Sequence, residues 1–406
     1  MDEKQFLTEK VLATKADLSH KEIVDYLALI RHETVTRPVV YIGSGTCGKV
    51  AGADETLAAV SRYLHEKNIQ AEIVQVGCIG LCTYEPIVDI QLPGKARISF
   101  RNITHELVEP IFDDIFNSEV PYDHVLGQFE NKRHNRWENV PNISELPFFK
   151  HQRRIVLANC GISNPDSITD YIARGGYQTY LKCIRNYTGE KICDIVSQSG
   201  LRGRGGGGYY TGEKWEMAHN AVSDQKKLIC NAAGSDPGGF LDRAVNEGDP
   251  HLLLEGIAIA AYAIGATKAY IYVMDEYSQA YFMLNQAINQ LKEYGFLGYN
   301  IFDSGVDLKI SLVRGPGAFV CGEETALINS IEGKRGMPRP KPPYPAIEGL
   351  FGKPTVINNV ETLANIPFIL RHGPLHFNEI GIPDARGTKV FAISGKAMIT
   401  GLVEVP

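Results

Sequence analysis

The chain has 406 residues, 44% hydrophobic and 22% charged, with a formal net charge of −6. At ~100–200 residues per domain this is a globular composition of two to four domains, and without clustered Lys and Arg it excludes nucleic acid as a partner, because phosphate neutralisation needs such clusters. The opening MDEKQFLTEK has no apolar h-region, and the most apolar stretch, Leu252–Val273, contains Glu255 and Lys268, so neither reads as a signal peptide nor as a membrane span; a cytoplasmic protein is expected.

Residues 1–36 read as a helical arm, with helices around 4–13 and 21–31. From 37 to 120 the pattern is a strand (VVYIG), a helix (ADETLAAVSRYLHEK), a strand (AEIVQV), a turn (GCIGLC), a hairpin with Pro-Gly at its bend (PIVDIQL, then ARISFRNI) and a closing helix (ELVEPIFDDIF). Residues 121–150, rich in Pro, Asn, His and charge, read as a linker. Residues 151–382 form a larger, glycine-dense α/β domain, with an apolar helix at 251–264, a strand at 269–274 and a helix at 277–294. Residues 383–406 begin a new strand unit with KVFAIS. A β-domain of only ~20 residues cannot bury a core, so a continuation beyond Pro406 is expected.

Eight cysteines are present, and in a cytosolic chain metal ligands or buried thiols outrank disulfides. Cys160, Cys183, Cys193, Cys230 and Cys321 stand singly and read as core residues. Cys47, Cys78 and Cys82 fall in two loops at one end of a small sheet, an arrangement that suits a metal or an iron–sulfur cluster. Gly43-Ser44-Gly45-Thr46-Cys47-Gly48 also fits a dinucleotide fingerprint between a strand and a helix. Against that stand the cysteine at the helix start and the hairpin that replaces a second crossover helix.

The most informative segment runs from Ser199 to Trp215 (SGLRGRGGGGYYTGEKW). Four consecutive glycines, Gly205 to Gly208, expose backbone N–H groups and permit positive φ, so the chain can wrap an anion or a flat ring. Lys214 follows within reach of a phosphate. Further on, Glu323 and Glu324 open a helix after a glycine turn; such a pair binds ribose hydroxyls or favours a helix N-terminus electrostatically. Asn358 and Asn359 offer donors and acceptors to a ring or phosphate.

These motifs, with CNAAGSDPGGFLDRAVNEGDPHLLLEG, FVCGEETALINSIEGKRGMPRPKPPYPA and GLFGKPTVINNVETLANIP, resemble the 51-kilodalton NADH-oxidising flavoprotein subunit of complex I and the beta subunits of NAD-dependent hydrogenases and formate dehydrogenases. The resemblance covers about 150–406. Residues 37–120 resemble the thioredoxin-like [2Fe-2S] ferredoxin module found beside or fused to such subunits. The implied fold is a thioredoxin-like domain, then an FMN-binding α/β domain, then the start of a β-grasp domain. By motif, Gly203, Arg204, Gly205, Gly206, Lys214, Asn231, Thr355, Asn358 and Asn359 would hold FMN. Gly207, Phe319, Glu323 and Glu324 would meet NADH. Lys214, Glu323 and Glu324 would be the catalytic residues, and Cys47, Cys78 and Cys82 would ligate a [2Fe-2S] cluster. The family's [4Fe-4S] site would lie only beyond Pro406. The implied partners are a ferredoxin-like [2Fe-2S] subunit and a larger iron–sulfur or catalytic subunit, in a hetero-oligomer.

The chain departs from the family at three places. Ile42 stands where the first cysteine of C-x4-C would be. Ala233 and Gly234 replace two acids, which removes charge that repels the extra phosphate of NADPH. Met274 replaces an arginine. Two readings follow: an electron-input subunit using NADH or NADPH, or a paralogous scaffold or relay subunit that has lost nicotinamide binding and flavin binding with it.

Overall fold

The computed structural model describes residues 2–13, 16–234, 236 and 238–406. Two sheets organise it. The first has strands β1 (Val39–Gly43), β2 (Glu72–Val76), β3 (Val88–Gln91), β4 (Ile98–Phe100) and β5 (Val125–Gln128), in the order β2-β1-β3-β4-β5. β1 and β2 are parallel, joined by the helix Ala53–Glu66, and the remaining pairs are antiparallel. That helix buries Thr56, Ala59, Val60, Tyr63 and Leu64, the spacing of one helical face. With the helix Val108–Phe116 it covers Val40, Ile42, Ile90 and Phe100.

The stretch expected as a linker, 121–150, instead supplies the edge strand β5. Gln128 is buried there and its Nε2 donates to the carbonyls of Trp137 and Val140, while Trp137 Nε1 donates to Ala96 O at 2.8 Å. A four-residue strand is too short to show a period, and buried polar bonds fold the rest, so hydrophobic patterning misses it. The N-terminal arm also differs in detail. Its first helix is α-helical only over Glu3–Phe6 and widens to a π-turn at Leu7–Val11. Leu7, Val11, Ile23 and Leu27 sink into the main core.

The second sheet is wholly parallel, with β6 (Lys227–Ala232), β7 (Lys268–Met274), β8 (Lys309–Gly315) and β9 (Thr355–Asn359) in the order β8-β7-β6-β9. From β6 the chain winds outward through β7 to β8, then returns to place β9 on the other side of β6. The order reverses between β6 and β9, and in open α/β sheets the crevice at the carboxyl ends of such a pair is where ligands bind. Behind the sheet lies the apolar helix Pro250–Ile264, capped by the Asp249 side chain at Leu252 N and ended by Gly265 at φ 78. A Cβ on Gly256 would collide with the Leu363 carbonyl oxygen. Gly256→Ala must push two packed helices apart, so it lowers stability by about 2 kcal/mol despite alanine's better helix propensity. The check is the thermal midpoint, and an unchanged value would contradict this packing.

The two sheets are bolted together. Arg97 pairs with Asp89 at 2.5 Å, donates to Gly161 O and Ile162 O, and stacks over Tyr41 at 3.7 Å. The C-terminal hairpin, Lys389–Ile393 with Gly401–Val405, lies across both units. Leu402 N donates to Gly80 O, and the buried Glu404 carboxylate accepts from Ile155 N, Val156 N and Leu157 N. Among the described residues no helix is long and apolar enough to cross a membrane.

Candidate functional site

The glycine loop closes on itself through Gly203 N to Tyr209 O at 2.9 Å and feeds the helix Thr211–Asn220. Gly206 and Gly208 take φ +104 and +61, which only glycine adopts without strain. A Cβ at Gly206, Gly207 or Gly208 would meet nothing within 4 Å. The loop is bare because it borders a cavity of about 370 Å³ at the β6–β9 reversal. That cavity gathers Gly203, Gly205, Gly207, Lys214, Asn231, Glu323, Glu324, Asn358 and Asn359, residues drawn from four separate motifs.

Local structure explains each position. Asn231 and Asn359 lie at the carboxyl ends of the two strands flanking the reversal. Asn231 donates to Gly322 O at 2.9 Å and accepts from Ala233 N. Asn359 caps the helix Val360–Ala364 with its Oδ1 and donates through Nδ2 to Asp242. Asn358 accepts from the buried Trp215 indole at 2.8 Å. Lys214 is held by Ile357 O at 3.2 Å and Glu324 at 3.5 Å.

Glu323 is the N-cap of the helix Glu324–Ile331, its Oε2 accepting from Thr325 N and Ala326 N. Burial works against its charge, but bonds from Thr325, Ala326 and Lys341 hold its carboxyl below the usual value. Sequence reasoning misses Lys341, which sits 3.1 Å from Glu323 and 2.5 Å from Glu324. It lies in the aperiodic run RPKPPYPA, where a single lysine reads as surface.

Four expected residues are placed differently, the first being Gly206, which lines neither the glycine-loop cavity nor the two spaces beside it. The Arg204 side chain is 3% exposed and points away from the glycine-loop cavity, donating to Arg202 O and Arg386 O, with Glu361 at 3.8 Å. It is a strut, not a free cation for a phosphate. Thr355 sits at the opposite end of β9 from the asparagines, its hydroxyl taken up by Lys353 O and Leu350 N. Phe319, 75% exposed, stands beside an adjoining cavity of about 360 Å³ that shares Gly205, Asn231, Gly322 and Asn359 with the first. Ala233 and Gly234 line that second space; Ser235 and Pro237 of the same motif lie outside the described residues. A third, more apolar space of about 330 Å³ opens beside Lys214 between Tyr209 and Tyr344, two aromatics that the sequence reading does not single out.

The cysteine trio also converges. Cys47 Sγ lies 3.5 Å from Cys82 Sγ, Cys78 Sγ lies 3.6 Å from Cys82 Sγ, and all three sulfurs fall within 4.8 Å of one another. Bonds from the Cys78 and Cys82 thiols draw Cys47 down, and Cys82 is pushed up to about 12 by its bond to Cys47. Ile42 is fully buried in the first core. The helix Leu241–Gly248 abuts this site: Glu247 accepts from Thr46 N at 2.8 Å and Thr46 Oγ1 at 2.6 Å. The other five cysteines are buried and unpaired.

Residues 196–368 match the Nuo51 FMN-binding domain of the complex I 51-kilodalton subunit. The chain is 53% identical over 257 residues to the HndC subunit of the NADP-reducing hydrogenase of Solidesulfovibrio fructosivorans, covering 63% of this chain and 52% of that one. It is 53% identical over 240 residues to a subunit of the NADH-quinone oxidoreductase of Aquifex aeolicus (strain VF5), covering 59% and 56%. The chain thus spans about half the length of the curated relatives it matches. Its fold superposes on a crystal structure of an NAD+-reducing [NiFe]-hydrogenase in the H2-reduced state with a TM-score of 0.55 and 26% identity, covering 99% of this chain and 64% of that one. Over residues 196–368 the chain carries a match to the Nuo51 FMN-binding domain, and around that domain it is similar to the 51-kilodalton flavoprotein subunits of these complexes.

Proposed function

We propose that the chain is the electron-input subunit of a multisubunit iron–sulfur oxidoreductase. In this reading a nicotinamide dinucleotide delivers hydride at the β6–β9 cavity, and electrons leave singly for iron–sulfur clusters, or the flow runs in reverse. The observation that carries it is the convergence of Lys214, Asn231, Glu324, Asn358 and Asn359 around a bare glycine cradle at the sheet's reversal point.

The residues fit FMN. The glycine cradle leaves open the space a flat ring and a phosphate would take. Thr211 lines the cavity with a buried hydroxyl that has no partner among the described residues, so a ligand acceptor would satisfy it. Bound there, FMN would supply an acceptor that takes electrons in pairs and releases them singly. The chain's own groups orient and balance charge. Lys214 favours negative charge at one wall, and Glu324, between Lys214 and Lys341, fixes both ammonium groups. Phe319 on one side and Tyr209 with Tyr344 on the other give flat walls for the dinucleotide. Glu323 Oε1 and Glu324, both paired with Lys341, would be its polar contacts by exchanging a lysine bond for a ribose hydroxyl, since Glu323 Oε2 is committed to the helix cap. Ala233 and Gly234 add no carboxylate to the Asp236 and Asp242 that line the second space, which lowers the charge that would repel a 2′-phosphate, so NADPH is accepted beside NADH.

The Cys47, Cys78 and Cys82 sulfurs would hold a [2Fe-2S] cluster whose fourth ligand comes from outside the described residues, since Ile42 is a core side chain. The partners in this reading are a ferredoxin-like [2Fe-2S] chain and a larger iron–sulfur or catalytic subunit, in the cytoplasm. Ala233 and Gly234 also favour a second reading, a scaffold or relay subunit without nicotinamide binding. The test is a titration of flavin-free protein with FMN, followed by fluorescence quenching. Saturable one-to-one binding, weaker for riboflavin, is expected. No quenching would overturn the flavin site, and FMN binding without any NADH or NADPH binding would favour the scaffold.

A further inference from the structure

Behind the flavin cavity lies a buried pair of acids that the proposed electron input does not use. Asp242, on the helix Leu241–Gly248, is 7% exposed. Its Oδ2 accepts from Asn359 Nδ2 at 2.6 Å, and Asn359 lines the glycine-loop cavity. Its Oδ1 is buried with no partner among the described residues. Asp242 itself lines the adjoining cavity. Glu361, two residues after Asn359, is equally buried, accepts from Val390 N at 3.1 Å and lies 3.8 Å from Arg204 Nε. An acid buried with one oxygen unsatisfied is a poor structural choice, since a neutral Asn would accept from Asn359 as well.

We propose that Asp242, backed by Glu361 and facing the flavin cavity through Asn359, is the group that takes up and returns the proton accompanying each hydride. The inference rests on the flavin reading above. The balance is simple. A hydride carries two electrons and one proton. The electrons pass singly to iron–sulfur acceptors, and the remaining proton converts the Asp242 carboxylate to the acid. The acid then loses it to water in the adjoining cavity.

The surroundings suit the task. Burial pushes Asp242 up to about 7 against the pull of the Asn359 bond, and burial pushes Glu361 up to about 8, with Asp242 adding and Arg204 opposing. The groups facing the pair are Arg204 from the glycine loop, Lys389 and Glu404 from the C-terminal hairpin, Tyr277 after β7 and Cys230 on β6. Among the described residues only Arg204 forms an ion pair with Glu361, at 3.8 Å, so no tight ion pair holds either acid ionised.

The experiment uses the flavin-loaded protein and its Asp242→Asn and Glu361→Gln variants. Reduced-minus-oxidised infrared difference spectra are recorded, and the flavin midpoint potential is followed from acid to alkaline pH. The wild type should show a carboxylic-acid carbonyl band that shifts in D2O, and a break in the slope of potential against pH near neutrality. Both should disappear in Asp242→Asn and move in Glu361→Gln. Loaded wild-type protein with neither band nor break would overturn the proposal while leaving the flavin site standing. A protein that binds no FMN would sink both. If Asp242→Asn fails to load, the wild-type band and its change in Glu361→Gln still decide.

Discussion

Gly207→Asp should leave the fold intact and abolish flavin binding. A Cβ at this position meets nothing within 4 Å, so the thermal midpoint should not move. The new carboxylate would project into a cavity that already holds Glu323 and Glu324. A phosphate-bearing flavin would then face an uncompensated like charge. At ~4 Å and an effective dielectric of ~20 the repulsion is about 4 kcal/mol, roughly a thousandfold in affinity. Gly207→Asn has the same size without the charge and should lose far less. Equal losses in both would mean that the loop binds by shape alone, and unchanged affinity in Gly207→Asp would place the flavin elsewhere.

Cys82→Ser should strip the metal from the N-terminal module and spare the flavin cavity. Cys82 is the vertex of the trio, within 3.6 Å of both other sulfurs. With Ile42 in the core the trio has no spare thiolate beside it, so a serine leaves two sulfurs, too few to retain a cluster. Protein purified anaerobically should go from a full complement of iron to almost none, with loss of its paramagnetic signal after reduction. FMN titration should be unchanged. Zinc in place of iron in the wild type would reassign the site as structural, and iron retained in Cys82→Ser would remove these cysteines from the ligand set.

Much of this arrangement is legible in the sequence because its causes are local. The strand–helix–strand–hairpin–helix order of the first sheet follows from side-chain periodicity and a Pro-Gly turn. The glycine loop announces itself because four bare residues in a row have few structural uses. What escapes the sequence has non-local causes. β5 is four residues long and owes its place to Gln128 bonds with Trp137 and Val140. The Arg204 head is drawn away from the cavity by carbonyls 2 and 182 positions along the chain. For Glu323 the sequence offers both a ribose ligand and a helix N-terminus, and the geometry is that of the helix cap. Lys341 reaches the acidic pair only because a proline-rich loop folds back over the helix they begin. Asp242 gives no signal at all, since a lone aspartate in a helix normally faces water.

In the proposed reading, hydride enters this chain at the β6–β9 cavity. The most direct test is an anaerobic visible spectrum of the FMN-loaded protein before and after adding NADH, then NADPH. Bleaching of the bound flavin band by a nicotinamide is the predicted result. Bleaching by NADPH alone would assign the preference to Ala233 and Gly234. A bound flavin indifferent to both nucleotides would contradict electron input and leave the chain as a scaffold or relay.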